Sequence, residues 1–557
     1  MLVPGLLVLI FAKGDAPIHA SCSKRLLMNA PVFLIGAVLA SVAPFAAATT
    51  YTVTNTGDNG GTNPAAHAGT GTLRQAIVDS NADGGVQNLI QFNISGTGPF
   101  DIAITSGKPL PFITSNVSID GFSQTGTIAN THTPDDGGLD AHLMIEIDGG
   151  NAVGYGFYVN AAVSAGLAGL VIDGFSSDAI EQNFAGSTLL VFGCYIGPQA
   201  DGSAFPSGFG NGGVAIRIDA GQANIGGTLP GQRNLISGNA GGGIVFIGSA
   251  TGVVEGNLIG TGASGAVAIG GGASSNWPGI IVPGNVSTVR IGCTGATCNQ
   301  AGHPSRNVVS GNHEYGIGIW DSFGSGDSGG LQIKGNFIGT DVSGTKPVPN
   351  GDATGGCPQF CGGIQLQVGS AGAPATIIGG LNPGEGNLIA YNHGPAIVPA
   401  QGSLLESFDL GGNAIHNNQF ADIEFNLAAG RVANDAGDAD TGSNNQQNFP
   451  VIESASVSGG NLTVTYHVDS TTANAKYPLR VDFYVNADEG SGEYLASDSY
   501  PASSAQLSRM VSLPLPADAQ SPAGFVATAT TADGYSSEFS PSHVFDRIFQ
   551  ARFEAVP

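Results

Sequence analysis

The chain of 557 residues contains 88 glycines and only 11% charged residues, and its formal net charge is −25. So acidic a chain argues against nucleic acid as a partner, because binding to the phosphate backbone requires a basic surface. Hydrophobic residues make up 41% of the sequence, which argues against a disordered chain, and the many glycines are typical of a fold with many tight turns.

The N-terminal region predicts a secretory signal peptide over residues 1–48. The basic pair Lys24-Arg25 precedes an apolar run that ends in small residues, Ala46 to Ala48. A single membrane anchor is the competing interpretation. Because no other segment is long and apolar enough to cross a membrane, we expect a secreted or cell-surface protein that has no membrane span after cleavage of the signal.

The mature chain is expected to begin with a strand and a helix that cover one end of the fold. Thr50–Thr54 alternates as a strand does, and Thr72–Asn81 is the one convincing short helix, with Thr72 as N-cap and Gln75 completing a capping box. The apolar stripe of this helix is expected to cover the open end of a solenoid. We interpret Arg74 as a surface or capping contact and not as a catalytic group.

Two short phrases alternate through the middle of the chain, Arg-Asn-Leu-Ile-Ser-Gly-Asn and Gly-Asn-Leu-Ile-Gly-Thr with their variants. Their spacings are short (257 − 234 = 23) or long (307 − 257 = 50), and we interpret a short spacing as one turn of a solenoid and a long spacing as two. The key asparagines, which we expect at the turns, are Asn234, Asn257, Asn307, Asn336, Asn387 and Asn413.

These turns must consist of β-strands, because the units are short and contain almost no run of helix formers. Ile244 and Phe246 lie two residues apart and therefore share one face of a strand. Glycine and asparagine bracket the strands because they enter the region of positive φ at little cost. Stacking of the coils is expected to bring the asparagines into a ladder.

The Gly-Asn-x-Ile units resemble the repeats of right-handed, pectate-lyase-like parallel β-helices. Thr70–Ile77, Leu110–Ile113 and Ile119–Gly121 look like the CSLREA entry segment of secreted bacterial β-helix proteins, with glycine in place of the cysteine. The resemblance implies an all-β fold, a right-handed parallel β-helix solenoid over residues 49–430 with an N-terminal cap helix. It implies no single function, because this fold carries lyases, hydrolases, epimerases and adhesins.

From residue 451 the repeat phrases stop, and alternating strands predict an Ig-like β-sandwich over 451–545, followed by a tail, 546–557. The predicted strands are Val451–Val457, Asn461–Val468, Leu479–Val485, Glu493–Ser499, Ser508–Leu513 and Gly524–Thr531.

The junction between the two domains, residues 431–450, is rich in oxygen ligands. Asp435, Asp438, Asp440 and Asn444 resemble the ligands of extracellular calcium loops, since Ca²⁺ takes six to eight oxygens. We therefore expect a structural calcium ion that stiffens the junction. The alternative is a polar, solvated linker.

Five cysteines remain after cleavage of the signal. Cys293 with Cys298 and Cys357 with Cys361 are expected to form local disulfides, because both pairs lie in polar loops of an exported protein. A four-thiolate zinc site is the alternative. Cys194 occupies an asparagine position of the repeat and is expected to be an inert, buried thiol.

No catalytic set stands out in the sequence. Glycoside hydrolysis needs two carboxylates that flank the scissile bond, yet Asp173 and Asp178 have no matching partner one coil away by spacing, and Asp135-Asp136 lies in a loop. Arg233 and Arg306 recur at one repeat position, which favours a structural role over that of a lyase arginine.

Loops on one edge offer the best ligand-binding candidates. We expect an outward patch whose histidines lie three coils, roughly 15 Å, apart, and whose aromatic side chains stack against sugar rings. The leading hypothesis is a non-catalytic, adhesion-like protein that binds a polysaccharide or cell-surface glycan; a polysaccharide lyase or glycoside hydrolase is the alternative. The patch residues are His313, Glu314, Tyr315, Trp320, Trp277 and His393.

Overall fold

Parallel strands stacked in three columns build most of the chain, which confirms the predicted parallel β-helix. The predicted signal peptide up to residue 47, the tail, Cys357 and the side chain of Trp320 lie outside the described residues. The described residues belong to one compact unit, Ala47–Pro557. The computed structural model describes residues 48–83, 87–204, 210–248, 250–269, 277–283, 289–320, 330–352, 361–367, 375–399, 407–420, 422–425, 430–485, 492–516 and 524–544.

The solenoid strands are β1 (Thr50–Val53), β2 (Asn88–Phe92), β3 (Phe100–Ala103), β4 (Val117–Asp120), β5 (Ile145–Val153), β6 (Phe157–Val159), β7 (Ser164–Ala168), β8 (Val171–Phe175), β9 (Ile180–Phe192), β10 (Tyr195–Ile196), β11 (Val214–Gly226), β12 (Leu235–Ile236), β13 (Gly242–Phe246), β14 (Thr251–Glu255), β15 (Leu258–Ile259), β16 (Ile280–Pro283), β17 (Val289–Gly292), β18 (Val308–Val309), β19 (Tyr315–Trp320), β20 (Gln332–Lys334), β21 (Phe337–Ile338), β22 (Gly362–Gln367), β23 (Thr376–Ile378), β24 (Leu388–Ala390), β25 (Ile397–Pro399), β26 (Phe408–Asp409) and β27 (Ala414–His416).

From β5 onward, each coil adds one strand to each of three columns. Column A runs β1-β2-β4-β7, through the second halves of β9 and β11, to β14-β17-β20-β23-β26. Column B runs from β6 through the first halves of β9 and β11 to β13-β16-β19-β22-β25. Column C runs β3-β5-β8-β10-β12-β15-β18-β21-β24-β27. The long strands β9 and β11 therefore bend from one column into the next.

The interpretation of the long spacings as two turns is wrong. Strand β15 pairs directly with β18, and β21 with β24, so each spacing of about 50 residues is a single coil. Main-chain pairing fixes only the register of the strands, so a long coil can hold additional residues between its strands, as residues 293–306 are held between β17 and β18. All members of the repeat are therefore direct neighbours in space.

The expected asparagine ladder is confirmed. Each side-chain amide donates to the Oδ1 atom of the next asparagine at 2.9–3.0 Å, along Asn234, Asn257, Asn307, Asn336, Asn387 and Asn413. A second ladder follows Asn312, Asn350, Asn392 and Asn418 and ends on the Asp422 carboxylate. The amides also donate to backbone carbonyls, as Asn257 does to Ile225, so the buried donors are satisfied.

Inward-facing aliphatic side chains form one core along the solenoid, with Ile236, Ile244 and Val254 as examples from columns C, B and A. Helix α1 (Leu73–Asp83) lies at the N-terminal end. The Thr72 hydroxyl accepts from the Gln75 backbone amide at 3.1 Å, which confirms the N-cap. The reciprocal half of the predicted capping box is not formed among the described residues, where the Gln75 Oε1 atom accepts from the Thr70 hydroxyl and the Gln75 Nε2 atom donates to Ala65 and Asp79.

Arg74 is buried and ties α1 to the first coils. Its guanidinium donates to both carboxylate oxygens of Asp58, at 2.8 and 3.0 Å. It also donates to the carbonyls of Lys108 and Pro109. Its role is therefore that of a capping contact, as expected, although it does not lie on the surface.

The C-terminal strands form two antiparallel sheets, β28-β29-β32 and β31-β30-β33-β34, which enclose a second core. The first, second and fifth strands share one sheet, as in the predicted Ig-like sandwich. These strands are β28 (Val451–Ser458), β29 (Asn461–His467), β30 (Leu479–Val485), β31 (Glu493–Tyr500), β32 (Arg509–Pro514), β33 (Gly524–Thr530) and β34 (His543–Val544).

The cysteines behave largely as expected. Cys293 and Cys298 form a disulfide around the short helix α2 (Gly295–Cys298), which excludes them from a zinc-thiolate site. Cys361 is also disulfide-bonded. Cys194 is a free, buried thiol, and burial raises its pKa to about 12, in line with an inert thiol.

None of the helices within the described residues has the length and apolar character needed to span a bilayer.

Candidate functional site

The patch predicted around His313 is only partly assembled. Trp277 is 49% exposed, and its ring lies 6.3 Å from the His313 ring at a tilt of 31°. Tyr315, in contrast, is only 1% exposed, so its assignment to an outward edge is wrong. Burial raises the pKa of the neighbouring Glu314 carboxyl.

His393 lies two coils from His313 and not three, because only β22 separates β19 from β25. The separation is therefore about 10 Å by coil spacing. The His393 Nδ1 atom is bound to the Gly351 carbonyl at 3.1 Å. Its side chain lines a groove with Tyr391 and Gln419. Among the described residues of the predicted patch, Glu314 is the only carboxylate, so the patch does not offer the two carboxylates that glycoside hydrolysis needs.

The outer face of the first coils carries an aromatic platform, which we define as Phe112, Tyr155 and Tyr158. The ring centroids lie 4.8–5.9 Å apart, and Phe112 is 41% exposed. Tyr158 points outward because its strand neighbours Phe157 and Val159 face the core. The platform is not predictable from the sequence, since only the stacking of coils brings Phe112 to the two tyrosines.

Next to the platform lies the charged row, which consists of Asp178, Glu181, Arg217 and Asp219. Tyr158, Glu181 and Arg217 lie in register on three successive coils. The Arg217 Nε atom donates to Asp219 at 2.8 Å, and the Arg217 Nη1 atom lies 4.0 Å from the Asp178 carboxylate. Burial raises the pKa of Glu181, and the carboxylates of Asp178 and Asp219 raise it further.

The platform and the charged row together suit the two kinds of surface on a sugar. Flat rings can stack on the apolar face of a pyranose, while carboxylates and amides can bind its hydroxyl groups. Asn183 belongs to this polar edge, since its Nδ2 atom donates to the Tyr158 hydroxyl at 3.3 Å. Asp219 lies at an irregularity of β11, and such bulges commonly redirect side chains beside functional sites.

A second group, the carboxyl ladder, consists of Asp101, Glu146, Asp148 and Asp173. Asp101 pairs in register with Glu146, and Asp148 with Asp173. The expectation that Asp173 lacks a partner one coil away is therefore wrong. The sequence did contain the signal, because Ile-Asp-Gly begins at both Ile147 and Ile172, one short coil apart (172 − 147 = 25).

Asp173 is 0% exposed, and its carboxyl group is hydrogen-bonded to that of Glu146. Burial and the nearby carboxylates of Glu146 and Asp148 raise its pKa to about 9. Asp178 also has partners one coil away, since it accepts from the Val214 amide at 2.7 Å and lies near Arg217.

The recurring arginines hold a loop in place. Arg233 is buried and donates to the carbonyls of His132 and Gly137 at 2.9 and 3.2 Å. Arg306 binds Asp135 at 2.6 Å and lies 4.1 Å above the Phe337 ring. These contacts fasten the loop that contains Asp135 and Asp136 to the coil turns, which agrees with a structural role for both arginines.

At the junction, one ligand oxygen from each of Asp435, Asp438 and Asp440 lies within 4.8 Å of the others. Burial raises the pKa of Asp438 to about 6. The Asp440 Oδ1 atom is buried and has no hydrogen-bond partner among the described residues. The side chain of Asn444 is not a fourth ligand, because it binds the backbone amide and carbonyl of Phe408 at 2.8 and 3.0 Å.

Comparison with known proteins leaves the family open. No protein-family model and no curated protein matches the chain. Among solved structures, the Dettilon tailspike protein matches at 13% identity and a TM-score of 0.24, covering 84% of this chain and 92% of its own. Tailspike protein 2 of the Escherichia coli O157:H7 bacteriophage CAB120 matches at 10% identity and a TM-score of 0.26, covering 87% of this chain and 68% of its own. Neither score supports an argument about function, so the site must be interpreted from its own geometry.

Proposed function

We propose that this protein is a secreted or cell-surface, adhesion-like protein that binds a polysaccharide across the aromatic platform and the charged row. The observation that carries the proposal is the platform itself, three adjacent rings on the outside of a rigid stack. Phe112 is exposed and the two tyrosines are half-buried, and a cluster of aromatic side chains that reaches the surface commonly marks an interaction site. The three carboxylates of the charged row and the net charge of −25 favour a neutral or amino-bearing glycan over a polyuronate.

Removing the platform is expected to weaken glycan binding without changing the fold. The double variant Phe112→Ala/Tyr158→Ala loses two stacking contacts, each worth on the order of 1 kcal/mol, so its Kd should rise at least tenfold. A glycan array on the mature protein identifies the ligand, and calorimetry then gives the Kd of each variant.

Phe420→Ala is the matched control, because Phe420 is another exposed phenylalanine, at 46%, on a late coil. It should bind like the native protein. Unchanged binding by the double variant would contradict the proposal. Loss of binding in Trp277→Ala instead would move the site to the edge around His313.

The alternative function, a polysaccharide lyase or glycoside hydrolase, is favoured by one feature of the charged row. Burial raises the pKa of Glu181, which is the direction that a general acid requires, and the Asp219 carboxylate beside it accepts from Arg217. Assays for new reducing ends and for unsaturated uronates distinguish the two functions, since a binding protein forms neither product.

We also propose a structural calcium ion held by Asp435, Asp438 and Asp440. Support comes from their mutual distances and from the unpaired Asp440 oxygen. Calcium should raise the Tm of the mature protein, and Asp438→Ala/Asp440→Ala should erase that increment. A melting curve that is the same with calcium and with chelator would identify the loop as a linker.

Secretion of the protein and its relation to pectate-lyase-like solenoids are also part of the proposal. The Cys293–Cys298 disulfide supports an oxidising compartment, in keeping with the predicted signal peptide. We assign Thr70–Ile77 to the CSLREA-like entry segment of pectate-lyase-like solenoids on its sequence and on the capping contacts of Arg74.

A further inference from the structure

Glu181 borders the aromatic platform and brings a carboxylate against its rings. It lies in register with Tyr158 on the neighbouring coil, and its carboxylate accepts a hydrogen bond from the Tyr158 hydroxyl. Burial raises the pKa of both platform tyrosines, Tyr155 and Tyr158, and the negative charge of Glu181 raises both values further. A ligand that stacks on these rings therefore lies next to a negative charge.

The charged row leaves this negative charge unbalanced. The Arg217 guanidinium donates to Asp219 at 2.8 Å and lies 4.0 Å from the Asp178 carboxylate. Among the described residues, no Lys, Arg or His forms an ion pair with Glu181. One guanidinium beside three carboxylates leaves an excess of two negative charges (3 − 1 = 2). Because neighbouring like charges disfavour ionisation, a bound cation would stabilise the row.

Aromatic rings beside an excess of negative charge favour a cationic ligand. The face of a tyrosine or phenylalanine ring attracts a positive charge, and it also packs against the apolar face of a sugar. A neutral glycan would use the rings alone, and a polyuronate would be repelled by the carboxylates. A sugar that carries a protonated amine uses the rings and the carboxylates together.

We infer that the platform and Glu181 bind a polysaccharide whose sugars carry free, protonated amino groups, with a pyranose ring on Tyr158 and its ammonium group against Glu181. The platform is an uncovered sheet face, and charge complementarity identifies what it binds. The inference rests on the proposed function and adds to it the class of glycan.

The experiment compares oligosaccharides that differ only at the nitrogen of each sugar. Glucosamine oligosaccharides and their N-acetylated counterparts, of equal length and in two glycosidic linkages, are titrated into the mature protein by calorimetry. A pH of about 6 keeps the sugar amines protonated, and about 0.15 M salt screens non-specific attraction to an acidic surface. The native protein should bind the free amine at least about tenfold more tightly than the N-acetylated form.

Glu181→Gln keeps the shape of the side chain and removes its charge. It should bring the two Kd values within about twofold of each other by weakening only the binding of the free amine. Circular dichroism verifies that the variant is folded. Glu453→Gln is the matched control, because it removes one negative charge from the sandwich, where Glu453 pairs with His467. The control should keep the native preference.

Equal Kd values for the two oligosaccharides in the native protein would overturn the inference, and so would a preference that survives Glu181→Gln. An equal loss of preference in Glu453→Gln would also overturn it, since net charge alone would then attract the amine. So would a native protein that binds no glucosamine oligosaccharide. The proposed function fails separately, when Phe112→Ala/Tyr158→Ala keeps the native affinity for the glycan that the array identifies.

Discussion

Val254→Asp is expected to unfold the solenoid, whereas Val253→Asp, one residue earlier in the same strand, is expected to leave it folded. Val254 is fully buried in the continuous core, with 0% exposure, and Val253 faces outward and is half-buried. A carboxylate at position 254 would lose the burial of the valine and would have no partner. Together these effects cost at least about 5 kcal/mol, comparable with the whole stability of many domains.

The outward position is tolerant because Val253 lies in register with Arg290 on the next coil, so an aspartate there gains a cationic neighbour. We expect Val253→Asp to change the free energy of unfolding by less than about 1 kcal/mol. Far-ultraviolet circular dichroism with urea titration measures both variants. Equal stability of the two would refute the assignment of faces in β14, and with it the alternation on which the solenoid prediction depends.

That alternation was readable from the sequence because it is local. Ile244 and Phe246 face the core as their spacing predicts, and the key asparagines form the expected ladder. The number of coils was not readable, because nothing in a spacing of 50 residues distinguishes two short coils from one long coil. Only the direct strand pairings, β15 with β18 and β21 with β24, show that each long spacing is one coil, and the second pairing shortens the expected distance between His313 and His393.

The site was harder to predict than the fold for a similar reason. Trp277 and His313 come together as expected, whereas Tyr315 is buried. The platform is invisible in the chain, since Phe112 and Tyr155 meet only through the register of successive coils. The asparagine ladder, which recurs as a phrase along the chain, was therefore found, whereas the platform, which has no recurring phrase, was missed.

Arg480→Met is expected to loosen the sandwich from the solenoid. Arg480, on β30, donates to both carboxylate oxygens of Asp409 on the last coil, at 2.6 and 2.9 Å, and also binds the buried Asp482. Burial alone would raise the pKa of Asp409, yet Arg480 holds it below its usual range. This contribution to stability is therefore present above the unfolded pKa, near 4, and is lost as the pH falls through the lower folded value.

Removal of the guanidinium leaves two carboxylates facing each other, and Asp482 is completely buried. Breaking such a buried pair typically costs about 3–5 kcal/mol. The matched control is Arg509→Met, which removes a half-exposed arginine paired with Asp498 in the same sandwich and should cost about 1 kcal/mol or less. Urea titration at pH 7 compares the two variants.

The triple variant Asp409→Asn/Arg480→Met/Asp482→Asn separates the loss of attraction from the burial of unpaired charge. If unpaired charge dominates the cost, the triple variant should recover most of the stability that Arg480→Met loses, since neutral amides tolerate burial better than lone carboxylates. Backbone contacts such as Ile415 with Gly492 would then still hold the sandwich over the last coil. If the free energy of unfolding of Arg480→Met is not lower than that of Arg509→Met, the ion pairs of Arg480 with Asp409 and Asp482 do not hold the two domains together. The sandwich is then attached to the last coil by those backbone contacts and by apolar packing alone.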